Sequence, residues 1–393
     1  MRLYIVLLFT FIQLNAQSGI ISGFISDSSS AEALIGANVI LQETGQGMAT
    51  DINGYYIIQD ITPGDYVLMV SYVGFKLKKE KLKISDGQSI KLDISLSEDV
   101  VELTQIEVTA EQIQRKSNIQ PSKINLSPRM MKAAPALAEP DLFRTIQALP
   151  GVLTTSEFST GLVIRGGNTD QNLILLDGVT VYNPSHLGGI FSNFIVDGVK
   201  EAELIKGAYN AEYGGRLSAV LNIISREGNQ KKFEGKANLS LLSAQATIEG
   251  PFYKGAWVFS GRRTYFDKIF QNVPTIPPYY FYDIQSHMYT DLTSKDRLSL
   301  SFYNGVDDLL FDTFGLAGRW GNRTISAQYR RVFSEKMIGN FLLANSVFFT
   351  EFGLGGSNGL NSDNQIDDAT VAANFSWFKS SSSTLKFGTQ IKN

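Results

Sequence analysis

Residues 203–225, ELIKGAYNAEYGGRLSAVLNIIS, hold two strand-like segments on either side of a glycine-containing turn region. The segments EAELIKG and SAVLNIIS are short and dominated by apolar residues, as buried strands are. LVIRGG and NLILLDGV, which come before them, have the same character. A helical stretch, DLFRTIQAL, begins after Pro140 and stops at Pro150, because proline interrupts helical hydrogen bonds. Together these segments predict a compact α/β unit over residues 119–229.

Glycines in this unit indicate where it turns. Gly166, Gly167, Gly207 and Gly214 follow the strand-like segments or lie between them. Because glycine adopts backbone conformations that other residues avoid, we expect these four to permit tight turns that fold the unit small. The chain has no G-x-x-x-x-G-K-[ST] pattern, and the glycine run at 353–359 lacks the spacing of a nucleotide site.

Residues 230–393 alternate between apolar and polar side chains over segments of about ten residues, which is typical of transmembrane β-strands. A water-soluble sandwich is the alternative interpretation of this alternation. The aromatic run at 278–282, PYYFY, suits the girdle of a barrel at a membrane interface. The apolar positions of the clearest segments are Leu298, Leu300 and Phe302; Ile325, Ala327 and Tyr329; Val371, Ala373, Phe375 and Trp377; and Leu385, Phe387 and Ile391.

The length of this region limits the barrel that it can build. At roughly 9–11 residues for each strand, residues 232–393 supply about eight or nine strands. A barrel of that size is filled by its own side chains and has no room for a second folded unit. We therefore expect the chain to be a fragment whose barrel strands form an open, curved sheet with two free edges.

The N-terminus has the features of a secretory signal peptide. Arg2 supplies a positive charge, residues 3–14 are almost wholly apolar, and Ala16 is a small residue at the expected cleavage point. A short membrane anchor is the alternative, but a spanning helix needs roughly 20 apolar residues. We assign residues 1–16 to the signal peptide and expect the mature chain to begin near Gln17.

Residues 17–97 consist of short β-segments separated by turns. Asn53-Gly54 predicts a hairpin and Pro63-Gly64 another turn. About 80 residues with some seven strands suit a small β-sandwich. We expect its lysine cluster to be a solvated strand edge that discourages aggregation, rather than a nucleic-acid site. The cluster comprises Lys76, Lys78, Lys79, Lys81 and Lys83.

This N-terminal segment resembles the carboxypeptidase regulatory-like domain. The resemblance is carried by Gly23, Asp27, the run GANV from Gly36, Thr50-Asp51, Gly54-Tyr55, the run PGDY from Pro63 and the run SYVGF from Ser71. It implies a transthyretin-like sandwich, a module that often precedes the plug in outer-membrane receptors of Bacteroidetes type. No peptidase is implied, because zinc peptidases need histidine ligands and this segment has no histidine.

The α/β unit is similar to the plug domain of TonB-dependent receptors over about 110 residues. IRGG at 164–167, LLDGV at 175–179, YNPSHL at 182–187 and the stretch 203–225 occur in the family's order. Lys206 departs from the pattern, since many members have arginine there. NLILLDGVT also differs from the P-L-Y-V-I-D-G-V-P of receptors that import glycans under a lipoprotein lid, which argues against that subgroup. The motif residues are Arg165, Gly166, Gly167, Asp177, Gly178, Lys206, Gly207, Tyr213 and Gly214.

The linker at 98–118 contains a short apolar patch that suits pairing with the sheet edge of another protein. By position it resembles a TonB box, and the alternative is a last strand of the sandwich. The candidate box comprises Ile106, Glu107, Val108, Thr109 and Ala110. The resemblance also implies that Arg165 and Lys206 meet carboxylates on the inner barrel wall and lock the plug, with Arg165 the stronger tie. Alternatively, Arg165 satisfies carbonyl groups within the plug.

Groups for catalysis are sparse. The chain has no cysteine, which excludes thiol catalysis, disulfides and cysteine-based zinc sites. His186 and His287 are the only histidines, and no catalytic or metal-binding motif surrounds them. We interpret Asp307-Asp308 and Asp367-Asp368 as solvated charges near turns. We expect no enzyme activity, no cofactor and no metal.

These observations predict a mostly β protein with a transthyretin-like sandwich, an α/β plug and an incomplete transmembrane barrel. The resemblance implies an outer-membrane receptor that imports a specific substrate into the periplasm, where its N-terminal domain lies. Its expected partners are TonB with the inner-membrane energising complex, outer-membrane lipid and an unidentified ligand. Nucleic acid is not expected, because the formal net charge is only −3. The alternative is a receptor that senses a ligand and signals through its N-terminal domain without transport.

Overall fold

The computed structural model describes residues 18–99, 122–134, 139–156, 159–270, 272–273, 278–311, 315–355, 359–381 and 383–393. The chain divides into two compact units, the N-terminal β-domain and a C-terminal unit that contains the plug segment and a large sheet. No helix in these described ranges is long and apolar enough to cross a membrane.

The N-terminal domain is a sandwich of two four-stranded sheets. Its strands are β1 (Gly19–Asp27), β2 (Asn38–Leu41), β3 (Gly47–Ala49), β4 (Tyr55–Ile61), β5 (Gly64–Ser71), β6 (Lys78–Ile84), β7 (Ser89–Lys91) and β8 (Ile94–Leu96). One sheet has the order β4-β1-β7, with β8 also paired to β1, and the other has the order β3-β2-β5-β6. Ile21, Val39 and Leu68 are fully buried between the sheets, so alternate strand residues build one apolar core.

Two features of this domain test the sequence interpretation. The lysine-rich strand β6 lies at a sheet edge, and Lys79, Lys81 and Lys83 are exposed along it, as predicted. Asn53-Gly54 forms a turn but not a hairpin, because β3 and β4 belong to different sheets. The carboxylate of Asp51 accepts hydrogen bonds from the backbone N–H groups of Asn53 and Tyr55, which shapes a connection between the two layers.

The plug segment is built around a five-stranded sheet of order β13-β12-β17-β16-β9. Strands β12 and β17 are parallel, and the other neighbours are antiparallel. The elements are β9 (Lys123–Leu126), α1 (Pro128–Ala133), α2 (Leu142–Gln147), β10 (Val152–Thr154), β11 (Leu162–Ile164), β12 (Leu173–Leu176), β13 (Val179–Thr180), β14 (Ser185–His186), β15 (Phe191–Ser192), β16 (Val199–Ile205) and β17 (Val220–Ser225). Two 3-10 turns lie at Thr169–Gln171 and Val196–Gly198.

Helix and sheet share one core in the plug. Ile146 of α2 packs with Leu204 of β16 and Ile223 of β17, and all three side chains are fully buried. Asp141 caps α2, since its carboxylate accepts hydrogen bonds from the N–H groups of Phe143 and Arg144. The prediction of an α/β unit in this segment is therefore confirmed.

The remaining strands form one antiparallel sheet in which each strand pairs with its neighbour in sequence. They are β18 (Glu234–Leu239), β19 (Ser243–Phe252), β20 (Gly255–Thr264), β21 (Tyr279–Asp291), β22 (Asp296–Phe311), β23 (Leu316–Ser334), β24 (Met337–Leu354), β25 (Leu360–Ser380) and β26 (Ser383–Lys392), with a short helix α3 (Phe266–Ile269). The nine-stranded order begins at β18 and ends at β26.

The two faces of this sheet differ in character. Ile325 and Val371 are more than half exposed on the outer face, whereas Asp283 and Gln285 are buried on the inner face, against the plug. The predicted alternation is thus confirmed. The prediction that the aromatic run at 278–282 belongs to an outer girdle is wrong for Tyr279 and Phe281, which point inward and are buried. Alternation along β21 sends successive rings to opposite faces.

Candidate functional site: the buried contact between plug and sheet

The two motif cations lie at adjacent turns of the plug. Arg165 follows β11 and donates a hydrogen bond from Nη2 to Ser122 Oγ at 3.0 Å. Lys206 follows β16 and donates from Nζ to the carbonyl oxygen of Pro150 at 2.7 Å. A Cβ added to Gly207, which has a φ of +101°, would lie 3.5 Å from Arg165 Nη1. In the described ranges no barrel carboxylate pairs with either cation, so the predicted ties to the wall stay predictions.

Glycine is required at specific places in these turns. Gly166 has a φ of +82°, a conformation that favours glycine. A Cβ added to Gly167 would lie 2.4 Å from Ser218 Oγ, so the Ser218 side chain occupies the space that a larger residue would need. Nothing lies within 4 Å of a Cβ added to Gly214. The left-handed residue of that turn is Gly215, one position later than predicted.

Asp177 and Gly178 form the two-residue turn between β12 and β13, and both have positive φ, as a type I′ turn needs. The carboxylate of Asp177 accepts hydrogen bonds from Ser225 N at 2.8 Å and Ser225 Oγ at 2.7 Å. Burial acts to raise the pKa of Asp177, but the nearby His287 and the Ser225 hydrogen bonds outweigh burial and hold this pKa below its ordinary value. Gln328 of β23 donates to the Asp177 carbonyl at 2.6 Å. The turn is therefore fixed to the inner face of the sheet.

Tyr213 and the candidate TonB box complete the set of predicted site residues. Tyr213 packs beside a small apolar cluster that includes Ile205 and Val220. Burial raises the pKa of the Tyr213 hydroxyl, which fits a packing role. The candidate TonB box at 106–110 lies outside the described residues.

The most polar buried contact between plug and sheet centres on His186 of β14. Its Nδ1 lies 2.7 Å from Asp307 Oδ2, and its Nε2 lies 2.9 Å from Asp283 Oδ1. Because carboxylates only accept hydrogen bonds, both ring nitrogens must carry a proton, which makes the imidazole a cation. Burial lowers the pKa of His186, but the two carboxylates outweigh burial and raise this pKa to about 9. The ring is fully buried and stacks on Phe281 with centroids 4.0 Å apart.

Arg262 of β20 supplies the second buried cation. Its Nη1 donates to Glu139 Oε1 of the plug at 2.6 Å, and its Nε donates to Asp283 Oδ2 at 2.9 Å. Its Nη2 also donates to the carbonyl oxygen of Ser192 at 2.7 Å. The guanidinium and the carboxylates of Glu139 and Asp283 are at most 3% exposed. A planar guanidinium can serve several acceptors at once, so Arg262 joins plug and wall through three groups.

Two tyrosine hydroxyls complete the network. Tyr303 donates to Asp283 Oδ1 at 2.8 Å, and Tyr279 donates to the carboxylate of Asp307. The backbone N–H of Leu187 donates to Asp307 Oδ1 at 3.0 Å. We call the five ionic residues, Glu139, His186, Arg262, Asp283 and Asp307, the ionic latch. Removing one partner from such a buried set typically costs about 3–5 kcal/mol, because it leaves another charge unpaired.

Sequence reasoning missed this latch. Asp307 was interpreted as a solvated charge near a turn, but it lies inside β22 and is 2% exposed. Asp367 and Asp368 likewise lie inside β25, where Asp368 is 4% exposed and accepts a hydrogen bond from Tyr182. One feature of the sequence did indicate that these charges are buried and paired. Arg262 and Asp307 both occupy positions that alternation assigns to the inner face of the sheet, where a charge needs a partner.

In this structure an α/β plug places buried ions against the inner face of an antiparallel sheet, and the outer face of that sheet is apolar. This arrangement is typical of barrel proteins that are closed by a plug. Comparison with known proteins agrees. Residues 21–108 match the CarboxypepD_reg-like domain, and residues 126–220 match the TonB-dependent Receptor Plug Domain. The chain is therefore related to the TonB-dependent receptors, with a carboxypeptidase regulatory-like domain, a plug domain and a partial β-barrel sheet.

Individual relatives support this assignment. TonB-dependent receptor P26 of Formosa agariphila is 30% identical over 250 residues, which cover 59% of this chain and 23% of that protein. TonB-dependent transporter Oar of Myxococcus xanthus is 24% identical over 229 residues, or 55% of this chain and 21% of that protein. A variant of the ferric enterobactin receptor of Pseudomonas aeruginosa matches in fold with a TM-score of 0.54 and 17% identity, over 70% of this chain and 49% of that chain. The matched region thus spans about a quarter of the curated relatives and half of the solved one.

Proposed function

We propose that the full-length protein is an outer-membrane receptor that imports a specific substrate into the periplasm with energy delivered by TonB. The observation that carries this proposal is the ionic latch, which fixes the plug to the inner face of a barrel-type sheet. A plug that a few buried bonds hold against the wall can close the path through a barrel and still be released when those bonds break. Residues 1–393 contain no nucleotide fingerprint, which is consistent with energy supplied by another protein.

The parts of the chain fit distinct roles in this proposal. The exposed apolar outer face of the sheet contacts lipid. The N-terminal sandwich lies in the periplasm as an accessory domain. Residues 106–110 pair as a strand with TonB, which the inner-membrane complex energises. Arg165 and Lys206 tie the plug to carboxylates on further barrel strands of the full-length protein.

The test is a substitution in the proposed box of the full-length receptor. Val108→Pro removes a backbone donor that strand pairing needs, so it should abolish binding to the periplasmic domain of TonB and the uptake of ligand. Val108→Ala, which keeps the N–H group, is the matched control and should retain both. Ligand binding at the cell surface should survive in both variants. TonB binding by Val108→Pro at the wild-type level would place the box elsewhere.

Uptake also separates import from the alternative of sensing without transport. Cells that express the receptor should accumulate labelled ligand only while the proton gradient across the inner membrane is intact. A receptor that binds its ligand with the same affinity but never accumulates it, with or without the gradient, would contradict import.

A further inference from the structure

Three aromatic rings form a continuous stack on the inner face of the sheet. The ring centroids of Tyr279 and Trp320 are 6.5 Å apart with planes at 25°, and those of Trp320 and Phe352 are 5.9 Å apart with planes at 23°. Tyr279 is buried, whereas the Phe352 side chain at the far end is 47% exposed. We call these three residues the aromatic platform. Its last ring is therefore about half open to solvent, and aromatic rings favour stacked contacts with other ring faces.

Strand register fixes which side chains share this face. Trp320 lies directly opposite Asp307, whose carboxylate contacts the plug, so both point inward. Thr350 lies opposite Trp320 on β24, and Asn364 lies opposite Thr350 on β25. Ser362 lies opposite Phe352. The platform is therefore flanked by hydroxyl and amide groups.

Charged residues at the same level lie on the other face. Arg319 is 3.8 Å from Glu351 and 4.0 Å from Asp308, which forms an ion-paired row on the outside of the sheet. Asp363, opposite Glu351, belongs to that row. Among the described residues of β23, β24 and β25 beside the platform, no inward-facing side chain carries a charge. On β22, the carboxylate of Asp307 is already held by His186, Tyr279 and the Leu187 backbone, so a charged ligand would find no free counter-charge on this part of the wall.

The platform is also continuous with the ionic latch. The hydroxyl of Tyr279 donates to Asp307, which binds His186, and accepts a hydrogen bond from the Leu187 backbone at 2.9 Å. We call residues 180–192, which contain His186, the plug loop. A ligand that stacks on Trp320 is thus separated by one ring, that of Tyr279, from the bond between Asp307 and His186 that holds this loop.

We propose that the aromatic platform is the contact site for the imported substrate, and that this substrate is an uncharged, ring-containing solute rich in hydroxyl groups. Its ring faces stack on Trp320 and Phe352, and its hydroxyls bond to Thr350, Ser362 and Asn364. This assignment rests on the proposed import function and adds the class of substrate to it.

The experiment measures binding to the full-length receptor by titration calorimetry in detergent. The probes are neutral gluco-, manno-, galacto- and xylo-oligosaccharides of four to eight rings, together with anionic ferric chelates such as ferric citrate. At least one neutral probe should bind, and Trp320→Ala and Phe352→Ala should each weaken it by about tenfold. Trp320→Tyr, which keeps a ring, should restore most of the affinity. Trp377→Ala, which removes an outward-facing ring, is the matched control and should change nothing.

The outcomes separate this inference from the proposed function. Binding confined to anionic probes, no binding of any neutral probe, or unchanged affinity in Trp320→Ala would overturn the assignment of the platform. Gradient-driven uptake of an anionic chelate would leave import standing and reject the substrate class. A neutral probe that binds the platform but is never accumulated would support the platform and reject import.

Discussion

The His186→Ala substitution tests whether the ionic latch holds the plug. It removes the cation that contacts Asp307 in the described structure, while Asp283 keeps Arg262 as a partner. Loss of one partner from a buried ion pair costs about 3–5 kcal/mol. We expect His186→Ala to destabilise the closed plug by about 3 kcal/mol, the low end of this range, because Asp307 keeps its hydrogen bonds from Tyr279 and Leu187. Opening of the plug loop should become about 100-fold more frequent.

The same contact predicts a dependence on pH. The pKa of His186 is raised in the folded protein from 6.5 to about 9, so its stabilisation is complete below pH 6.5 and is lost as the pH rises through 9. A rise of that size corresponds to about 3 kcal/mol, the same magnitude as the loss of a buried partner. The wild-type plug loop should therefore open more easily between pH 6.5 and 9, and the variant should lack this dependence.

Hydrogen–deuterium exchange of the full-length receptor in detergent provides the assay. The relevant peptide covers residues 180–192, and protection factors are corrected for the intrinsic effect of pH on exchange. Protection in the wild type should fall about 100-fold over this pH range, whereas protection in His186→Ala should be low throughout. His287→Ala removes the other imidazole and should keep the wild-type profile. Constant protection in the wild type, or a normal fall in His186→Ala, would refute the reasoning.

Two other predictions concern the plug and its contacts. In a double-mutant cycle, Arg262→Ala and Glu139→Gln should show a coupling above about 1 kcal/mol in plug protection, because both side chains are at most 3% exposed. A coupling below about 0.5 kcal/mol would mean that the two residues act independently. Gly167→Ala should destabilise the plug by about 1–3 kcal/mol in denaturant unfolding, because its Cβ would collide with Ser218. Gly214→Ala has open space and should change stability by less than about 0.5 kcal/mol, so equal effects would contradict this account.

Local sequence patterns were sufficient to predict most strands. The alternation that includes Ile325 and Val371 reports which face of the sheet is apolar, and the structure exposes both side chains on one face. The segments LVIRGG and NLILLDGV gave β11, β12 and β13, since short apolar runs bounded by glycine suit buried strands. Alternation and short apolar runs depend only on residues that are close in sequence, so both patterns can be recognised before the tertiary structure is known.

Alternation places Arg262 and Asp307 on the inner face, but the partners within the latch could not be predicted because its members are distant in sequence. His186 and Asp307 are separated by 121 positions, and each alone looks like an ordinary loop or surface residue. Two adjacent acids such as Asp307 and Asp308 suggest a turn, although strand alternation sends one to the plug and the other to the outer face. Burial of a charge is decided by the partner that tertiary structure brings to it.

Ser122 would determine which parts of the plug bear a pull from the preceding linker first. Arg165 donates a hydrogen bond to the Ser122 hydroxyl, and the backbone N–H of Lys206 donates one to the Ser122 carbonyl. The turns that contain Arg165 and Lys206 are therefore both bonded to this one residue. The four-residue strand β9 starts directly after it, and among the described residues it pairs only with β16. Under the proposed coupling to TonB, a pull from the N-terminal side of the plug would be carried first by these bonds and then by β9. The plug would begin to unravel from its first strand while His186 still holds the opposite part in place.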